Sequence, residues 1–309
     1  MSKNDVFVVG SFVMGLTIRA PRAPAPGESV MGTDFDLGPG GKGINLAIAA
    51  ARAGAAVQLI LCVGQDFFGQ QAMDVLAQEN LSTRYVHQLQ DIHTGCGFVT
   101  LLPSGENSIV LDPGANQLMT PALLRDAEET IANSTVVVAQ LEVSDEVAEE
   151  AMVLGRKHGC LTILNPAPAR WLSANLLAHV DILTPNETEA RVLLGLQPDD
   201  DVPTEALAQQ LRALGPRTVV ITRGKRGALL VTPDWIESIH APSIHLVDST
   251  GAGDCFNGIM AHQLAAGKSL PDAVRRAVHG GAYCAGKLGV INGLPTAAEL
   301  NLFIQQHRS

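Results

Sequence analysis

The sequence predicts an α/β fold: a doubly wound, mainly parallel sheet flanked by helices, with a small β-layer attached. Three observations carry this. Short apolar β-type runs alternate with Ala- and Leu-rich helical segments through most of the 309 residues, a rhythm that implies parallel strands joined by crossover helices. Several glycine-rich or polar motifs fall at strand-to-helix turns, where such sheets gather their ligands. Two turn-rich stretches interrupt the rhythm.

In chain order, Val6–Gly10 reads as a strand, Ile44–Ala53 as an Ala-rich helix and Val57–Val63 as the next strand. Phe68–Glu79 is helical, Val136–Leu141 a strand, Val147–His158 a helix and Leu161–Leu164 a strand. Strand Ile182–Thr184, helices Thr188–Leu194 and Thr204–Leu214, and strand Thr218–Thr222 follow. The interrupting stretches, Ser11–Leu37 and Thr94–Leu111, contain Pro26-Gly27 and Pro103-Ser-Gly105 and read as extended segments. They are expected to form a lid or a subunit contact of a homodimer, within one domain spanning 1–309. Edge hairpins of the main sheet are the alternative.

Composition narrows the function classes. With 46% hydrophobic residues the chain can bury a large core, and 17% charged residues with no polar tract argues against disorder. The formal charge of −10, without a basic run, argues against a nucleic-acid partner. Any phosphate site must therefore make its positive potential locally. Five scattered cysteines without a C-x-x-C pair argue against a disulfide framework or structural zinc. Met1-Ser-Lys-Asn-Asp5 leads into apolar residues without a signal-peptide pattern, and no apolar run approaches the ~20 residues of a membrane span. A soluble, cytoplasmic protein is expected.

The strongest motif is Val247-Asp-Ser-Thr-Gly-Ala-Gly-Asp-Cys-Phe-Asn257, which follows the β-like stretch Ile244–Val247 and opens a helical stretch running toward Gly267. Gly251, Ala252 and Gly253 let backbone N–H groups approach an anion, and the helix dipole favours negative charge there. Asp254 beside such a turn makes sense if it accepts the proton of an attacking hydroxyl while the turn holds the charge of a transferred phosphoryl group. An Asp capping a glycine-rich turn is the plainer alternative.

Three further motifs join it. Gly38-Pro-Gly-Gly-Lys-Gly-Ile-Asn45 suits close backbone approach to a ligand, with Lys42 supplying charge and Asn45 a donor–acceptor fork; it lacks Walker A spacing. In Thr184-Pro-Asn-Glu-Thr-Glu189, Asn186 and Glu189 lie three apart at a helix start, suited to Mg²⁺ held through water or to a capping arrangement. Thr222-Arg-Gly-Lys-Arg-Gly227 is a basic turn that could face nucleotide phosphates or simply close a hairpin. Asn165-Pro-Ala-Pro168 and Gln140-Leu-Glu142 also end strands. No G-x-G-x-x-G follows the first strand, which sets a dehydrogenase aside.

Together and in this order, these motifs resemble the ribokinase-like (PfkB) family of carbohydrate kinases. The resemblance runs from Val8-Val-Gly-Ser11 to Gly289 and includes Thr94-Gly95, Glu106-Asn107 and Gly114-Ala-Asn116. Asn165-Pro-Ala-Pro-Ala-Arg170 and Pro185-Asn-Glu-Thr-Glu-Ala190 look most like the ribokinase branch. It implies an ATP-dependent kinase acting on a sugar, with Asp254 as catalytic base and Gly251, Ala252 and Gly253 as anion hole. Gly41, Lys42, Asn45 and Glu142 would meet the sugar. Asn186 and Glu189 would organise Mg²⁺ and phosphates, Thr222 and Gly224 would line the nucleotide site, and Asn257 and His279 would edge the adenine pocket. A K⁺ ion is implied beside Asp248, Thr250, Cys284, Lys287 and Gly289, altered by Gly293 where a Ser is usual.

One departure bears on the substrate. The ribokinase pattern G-S-x-N-x-D after the first strand, whose Asn and Asp bind sugar hydroxyls, reads here Gly10-Ser-Phe-Val-Met-Gly15. Val13 and Gly15 stand in the Asn and Asp positions. A site built around a hydroxyl discriminates by ~10⁴-fold or more through such groups, so ribose is expected to be a poor substrate. A nucleoside kinase is the alternative, and a non-catalytic sugar or nucleotide sensor a further one.

Overall fold

The run Val6-Phe-Val-Val9 is apolar on both faces, as a central parallel strand must be. In the computed structural model of the protein all four side chains are fully buried, each contributing ~1.5–3 kcal/mol relative to exposure. The structure describes residues 4–103 and 107–307. The expected turn at Ser104-Gly105 and the match at Glu106 lie outside the described residues.

The strands are β1 (Asn4–Val9), β2 (Val13–Arg19), β3 (Thr33–Gly40), β4 (Val57–Gly64), β5 (Tyr85–Leu89), β6 (Cys96–Leu101) and β7 (Asn107–Asp112). They continue with β8 (Ser134–Gln140), β9 (Leu161–Asn165), β10 (Ile182–Leu183), β11 (Thr218–Thr222), β12 (Ala228–Val231) and β13 (Ile236–Ile239). The helices are α1 (Lys42–Ala53), α2 (Phe67–Gln78), α3 (Pro121–Asp126), α4 (Glu128–Ala132), α5 (Asp145–Lys157) and α6 (Ala174–Ala178). After them come α7 (Glu187–Leu193), α8 (Thr204–Ala213), α9 (Ala252–Ala265), α10 (Leu270–Ala285), α11 (Val290–Gly293) and α12 (Ala297–Gln306).

Nine strands form one sheet in the order β13-β12-β11-β10-β9-β8-β1-β4-β5. Pairing is parallel from β5 to β11 and antiparallel at the β11-β12-β13 edge. Alternation along β1 sends Val6 and Val8 into one apolar layer, with α1, α9 and α10, and Phe7 and Val9 into the other, with α5 and α8. The helices carry their own start signals. Ser144 caps α5 by accepting from the Val147 amide, with Asp145 and Glu146 in the first turn and Arg156 and Lys157 in the last.

The interrupting stretches form a second sheet, β3-β2-β6-β7, rather than edge hairpins of the first. Its inner pairs are β2–β3 antiparallel and β2–β6 parallel, and β6–β7 closes it antiparallel. The expectation of a β-like stretch at Ile244–Val247 is corrected: those residues take no regular structure. Instead the amides of Val247 and Asp248 both donate to the carbonyl of Ala285 at the end of α10, so the segment is held by a helix end and not by a sheet neighbour. No helix among the described residues is long and apolar enough to cross a membrane.

One close approach places the site. A Cβ added to Gly258 would meet the Leu46 carbonyl oxygen at 2.5 Å, so α1 and α9 pack backbone to backbone. Their first turns, with Lys42 and Asn45 on one and Asp254 on the other, are thereby brought together.

Candidate active site

Strands β8, β9, β10 and β11 are neighbours in the sheet, and the residues at their carboxyl ends share one edge. A cavity of about 260 Å³ opens there, in the position expected for a doubly wound sheet. Its walls come from Asn165 at the end of β9, Thr184 just after β10, and Thr222 at the end of β11. Asn186 and Glu189 at the start of α7 form one side, and Lys42 another. Thr250, Gly251, Gly253, Asp254 and Asn257 close it around the first turns of α9. The dipole at this 14-residue helix's N-terminus favours an anion; Ala252, expected in the anion hole, is not on the cavity wall, and its amide donates to the Ser249 carbonyl at 3.2 Å.

Asp254 is buried. Loss of water raises its carboxyl to about 7, opposed by the charge of Lys42 and a hydrogen bond from Asn45, and aided by Glu142 and Glu189. That Asn45 bond runs from Nδ2 to Asp254 Oδ2 at 2.9 Å. Asn45 Oδ1 is buried without a partner among the described residues, an arrangement that favours a ligand donor there. Burial works against the Lys42 ammonium, but Asp254, Glu142 and Glu189 outweigh it, and its pKa is raised. Lys42 is thus the local positive charge that an acidic protein needs.

Glu142 accepts from the Ser11 hydroxyl at 2.5 Å and from the Lys42 amide at 2.9 Å, both on Oε2. Ser11 stands in the Gly10-Ser-Phe-Val-Met-Gly15 segment, where no role was assigned to it; its hydroxyl also receives the Gly43 amide at 3.4 Å. Gly41, with φ 107°, precedes Lys42 as the N-cap of α1. Asn186 and Glu189 form a reciprocal capping box, Asn186 Oδ1 accepting from the Glu189 amide and Glu189 Oε2 from the Asn186 amide, each at 2.8 Å. The capping reading and the cavity-lining reading both hold. Burial raises the Glu189 pKa against the Asn186 bond and the Lys42 charge, a setting that a nearby cation would relieve.

Asn257 and Thr222 are on the cavity wall, while His279 and Gly224 are not. Asn257 is buried on the cavity floor, where its Oδ1 accepts from the Thr184 hydroxyl at 2.7 Å and its Nδ2 donates to the Gly253 carbonyl at 2.9 Å. His279 does not line this cavity; its Nδ1 donates to the Arg275 carbonyl at 2.9 Å and its ring stands edge-on to Phe303. The basic turn after β11 is a hairpin connection to antiparallel β12. Arg223 donates to Ser238 and the Ala228 carbonyl and braces the hairpin, Arg226 pairs with Glu187 and ties the turn to the start of α7, and Gly224 is exposed outside the cavity. Asn165 and Thr184 earn a place the sequence left open: Asn165 Nδ2 donates to the Thr184 carbonyl at 3.2 Å, and its Oδ1 is buried and unpartnered among the described residues. Their positions at strand ends were the available signal.

The predicted cation-site residues gather beside the turn. Asp248 Oδ1 accepts from the Thr250 amide at 2.9 Å, and the Cys284 thiol lies 3.8 Å from the Thr250 carbonyl. Lys287 and Gly289 follow α10, the Lys287 amide donating to the Cys284 carbonyl at 3.0 Å. A Cβ at Gly293 would lie 3.2 Å from Cys284 Sγ and 3.3 Å from its carbonyl, so the thiol and the missing side chain are complementary. Among the described residues no three His, Cys, Asp or Glu side chains converge as metal ligands.

Comparison with known proteins agrees with this geometry. The family model described as pfkB family carbohydrate kinase matches residues 3–297. The chain is 36% identical to a ribokinase of Haemophilus influenzae over 98% of this chain and 99% of that protein. It is 32% identical to a deoxyribokinase of Salmonella typhi, covering 97% and 98% respectively. The structure superposes on an Arabidopsis thaliana ribokinase complexed with ribose and ATP with a TM-score of 0.91, at 26% identity over 98% of this chain and 99% of that one. With Asp254, Lys42 and the Gly251–Gly253 turn around one cavity, the chain belongs to the pfkB family of ATP-dependent carbohydrate kinases.

Proposed function

We propose that the protein transfers the γ-phosphoryl group of ATP to a primary hydroxyl of a sugar or sugar-like acceptor, with Asp254 as general base. The observation that carries this is Asp254 itself: a buried carboxyl held at about 7, bonded to Asn45 and set at the N-terminus of α9. In the reaction the acceptor hydroxyl gives its proton to the Asp254 carboxylate and its oxygen bonds to the γ-phosphorus. The bond to the β-phosphate oxygen breaks, and ADP leaves. Lys42 and the turn Gly251-Ala-Gly253 take up the negative charge of the transferred group. The acceptor sits against Gly41, Lys42, Asn45 and Glu142.

Asn186 and Glu189 suit Mg²⁺ held through water, which supplies charge neutralisation at the phosphates when bound; the burial-raised Glu189 and the orphaned Asn165 oxygen fit such an ion. Carbonyl-rich surroundings at Asp248, Thr250, Cys284, Lys287 and Gly289 suit K⁺, with Gly293 making the shell less polar. Thr222 and Asn257 line the cavity on the side suited to the nucleotide, while Gly224 and His279 lie outside it and would meet only a nucleotide that extends beyond it.

The small sheet acts as a lid on a single kinase domain. Its inner face carries Gly40, where an added Cβ would lie 3.9 Å from Asn45 Oδ1. Val13 and Gly15 pair with Gly40 and Gly38 on that face, so the lid offers no polar side chain at the two positions where ribose binders carry Asn and Asp. On the opposite face Leu37, Leu16, Phe98 and Val110 pair across the four strands, three of them exposed. That apolar stripe supports a homodimer through the lid.

Screening sugars and nucleosides for ATP-dependent phosphorylation, with and without K⁺, tests the reading. A sugar turned over with a high kcat/KM is the expected result. A nucleoside preferred over every sugar would replace it with the nucleoside-kinase reading.

A further inference from the structure

Outside the cavity, the most heavily committed charged side chain is Arg52, in the last turn of α1. Its Nε and Nη2 form a fork on Glu79, at 2.9 and 2.6 Å. Its Nη1 donates to two carbonyls at the end of α11, Ile291 at 2.8 Å and Leu294 at 2.7 Å. Both partners of the ion pair are largely covered, with 23% and 16% of their side chains exposed. Bidentate, charge-assisted bonds of this kind fix geometry as well as adding stability.

What Arg52 fixes is a segment with little structure of its own. The four-residue α11 is far below the length at which a helix holds itself; at its end the Gly293 and Leu294 amides donate back to the Gly289 and Ile291 carbonyls. Its first residue, Val290, is wedged against the phosphate-side turn. A Cβ on Gly251 would fall 2.4 Å from Val290 Cγ1, and Gly251 holds a left-handed φ of 78°. Gly293, at the other end, packs on Cys284 of the candidate cation shell. A continuous path of contacts therefore runs from Arg52 through Ile291 and Leu294 to Val290, and from there to the N-cap of α9. Since α1 also carries Lys42 and Asn45 in its first turn, one rigid helix bears acceptor-side groups at one end and the strut for the anion-side turn at the other.

We infer that Arg52 is a positioning residue for phosphoryl transfer: it sets the 289–294 segment, and through Val290 the Gly251 turn, relative to the acceptor groups on α1. This rests on the reading that the 251–254 turn receives the transferred charge. Its expected signature is a loss of kcat with acceptor binding retained, because the groups that meet the acceptor stay in place while the turn shifts. Displacements of about 1 Å in such a turn lower rates by up to ~100-fold.

The test uses the full chain with Arg52→Ala, Arg52→Lys and Val290→Gly, the last leaving every Arg52 bond intact. Steady-state kinetics with the best acceptor, melting curves and the rise in melting temperature on adding KCl are measured for each. The expected results are kcat lowered about 10- to 100-fold in Arg52→Ala and in Val290→Gly, acceptor KM within about twofold, partial recovery in Arg52→Lys, and a KCl-induced stabilisation needing more salt. A lower melting temperature with kcat intact in Arg52→Ala, or kcat intact in Val290→Gly, overturns the inference. Asp254→Asn run in parallel separates the two ideas: retained activity there defeats the proposed base and leaves the Arg52 result to be read alone.

Discussion

Asn45 donates from Nδ2 to Asp254 Oδ2 across 2.9 Å, joining residues 209 positions apart on the first turns of two helices. The bond favours the ionised carboxylate while burial opposes it, and the balance leaves Asp254 at about 7. If Asp254 is the base, as we propose, a carboxyl in that range is about half ionised at neutral pH and strong enough to take a proton from a hydroxyl as phosphoryl transfer proceeds.

Asp254→Asn keeps the size and the Asn45 contact but removes the proton acceptor. We expect kcat to fall by ~10²–10⁴-fold with ATP binding near that of the parent, measured by ADP release and by nucleotide titration. An unchanged rate would remove Asp254 from the mechanism.

Activity should follow the carboxylate. kcat/KM is expected to climb with pH through about 7 and then level off, since the proton must be lost before the base can act. Asn45→Ala removes a bond that lowers the Asp254 pKa, so its profile should move to higher pH. Identical profiles for the two proteins would show that the bond does not tune the base.

The same group links stability to pH. Asp254 titrates near 3.8 in the unfolded chain and about 7 when folded. Between these values the folded state keeps a proton the unfolded state has lost, so this contribution is full below 3.8 and is lost as pH rises to about 7. Asp254→Asn lacks that loss. Its melting temperature should exceed the parent's above neutrality, with the gap closing on acidification; a gap that stays constant with pH contradicts the burial argument.

Val13→Asn with Gly15→Asp should raise kcat/KM for ribose by ~10-fold or more over a poor parental value. Gly15 leaves little slack, since an added Cβ would come 3.1 Å from the Gly38 carbonyl, so Val13→Asn alone is measured beside the pair. A parent already efficient with ribose would mean that Val13 and Gly15 do not restrict the site.

Phe98→Asp places a charge in the exposed stripe formed with Leu16 and Val110. Light scattering over a concentration series should show dimer dissociation in this variant and not in the parent. A parent monomeric at all concentrations would refute the lid contact.

The alternation of apolar runs and helical segments was enough to read the parallel sheet, because strands buried on both faces leave continuous apolar sequence such as Val6–Val9. β5, β12 and β13 were not legible. β5 and β13 are the sheet's two edges, where partial exposure weakens the pattern, as Glu237 and Ser238 show in β13; β12 is buried throughout but only four residues long, too short to stand out beside the basic turn before it. Ile244–Val247 misled for the converse reason: it has strand composition but pairs its backbone with the end of α10. At the site, Asp254, Lys42, Asn186 and Glu189 were readable because each sits in a local motif at the start of a helix.

Residue types and short spacings alone thus sufficed for the sheet, the glycine turn and the identity of the chemical groups, because those depend on neighbours within a few positions. The Asn45–Asp254 bond, the grip of Ser11 on Glu142, the Thr184–Asn257 link and the strut from Arg52 to α11 appeared only once the chain was folded. Each spans from 73 to 239 residues, and contacts at that separation are set by how helices and strands pack, not by any local pattern along the chain.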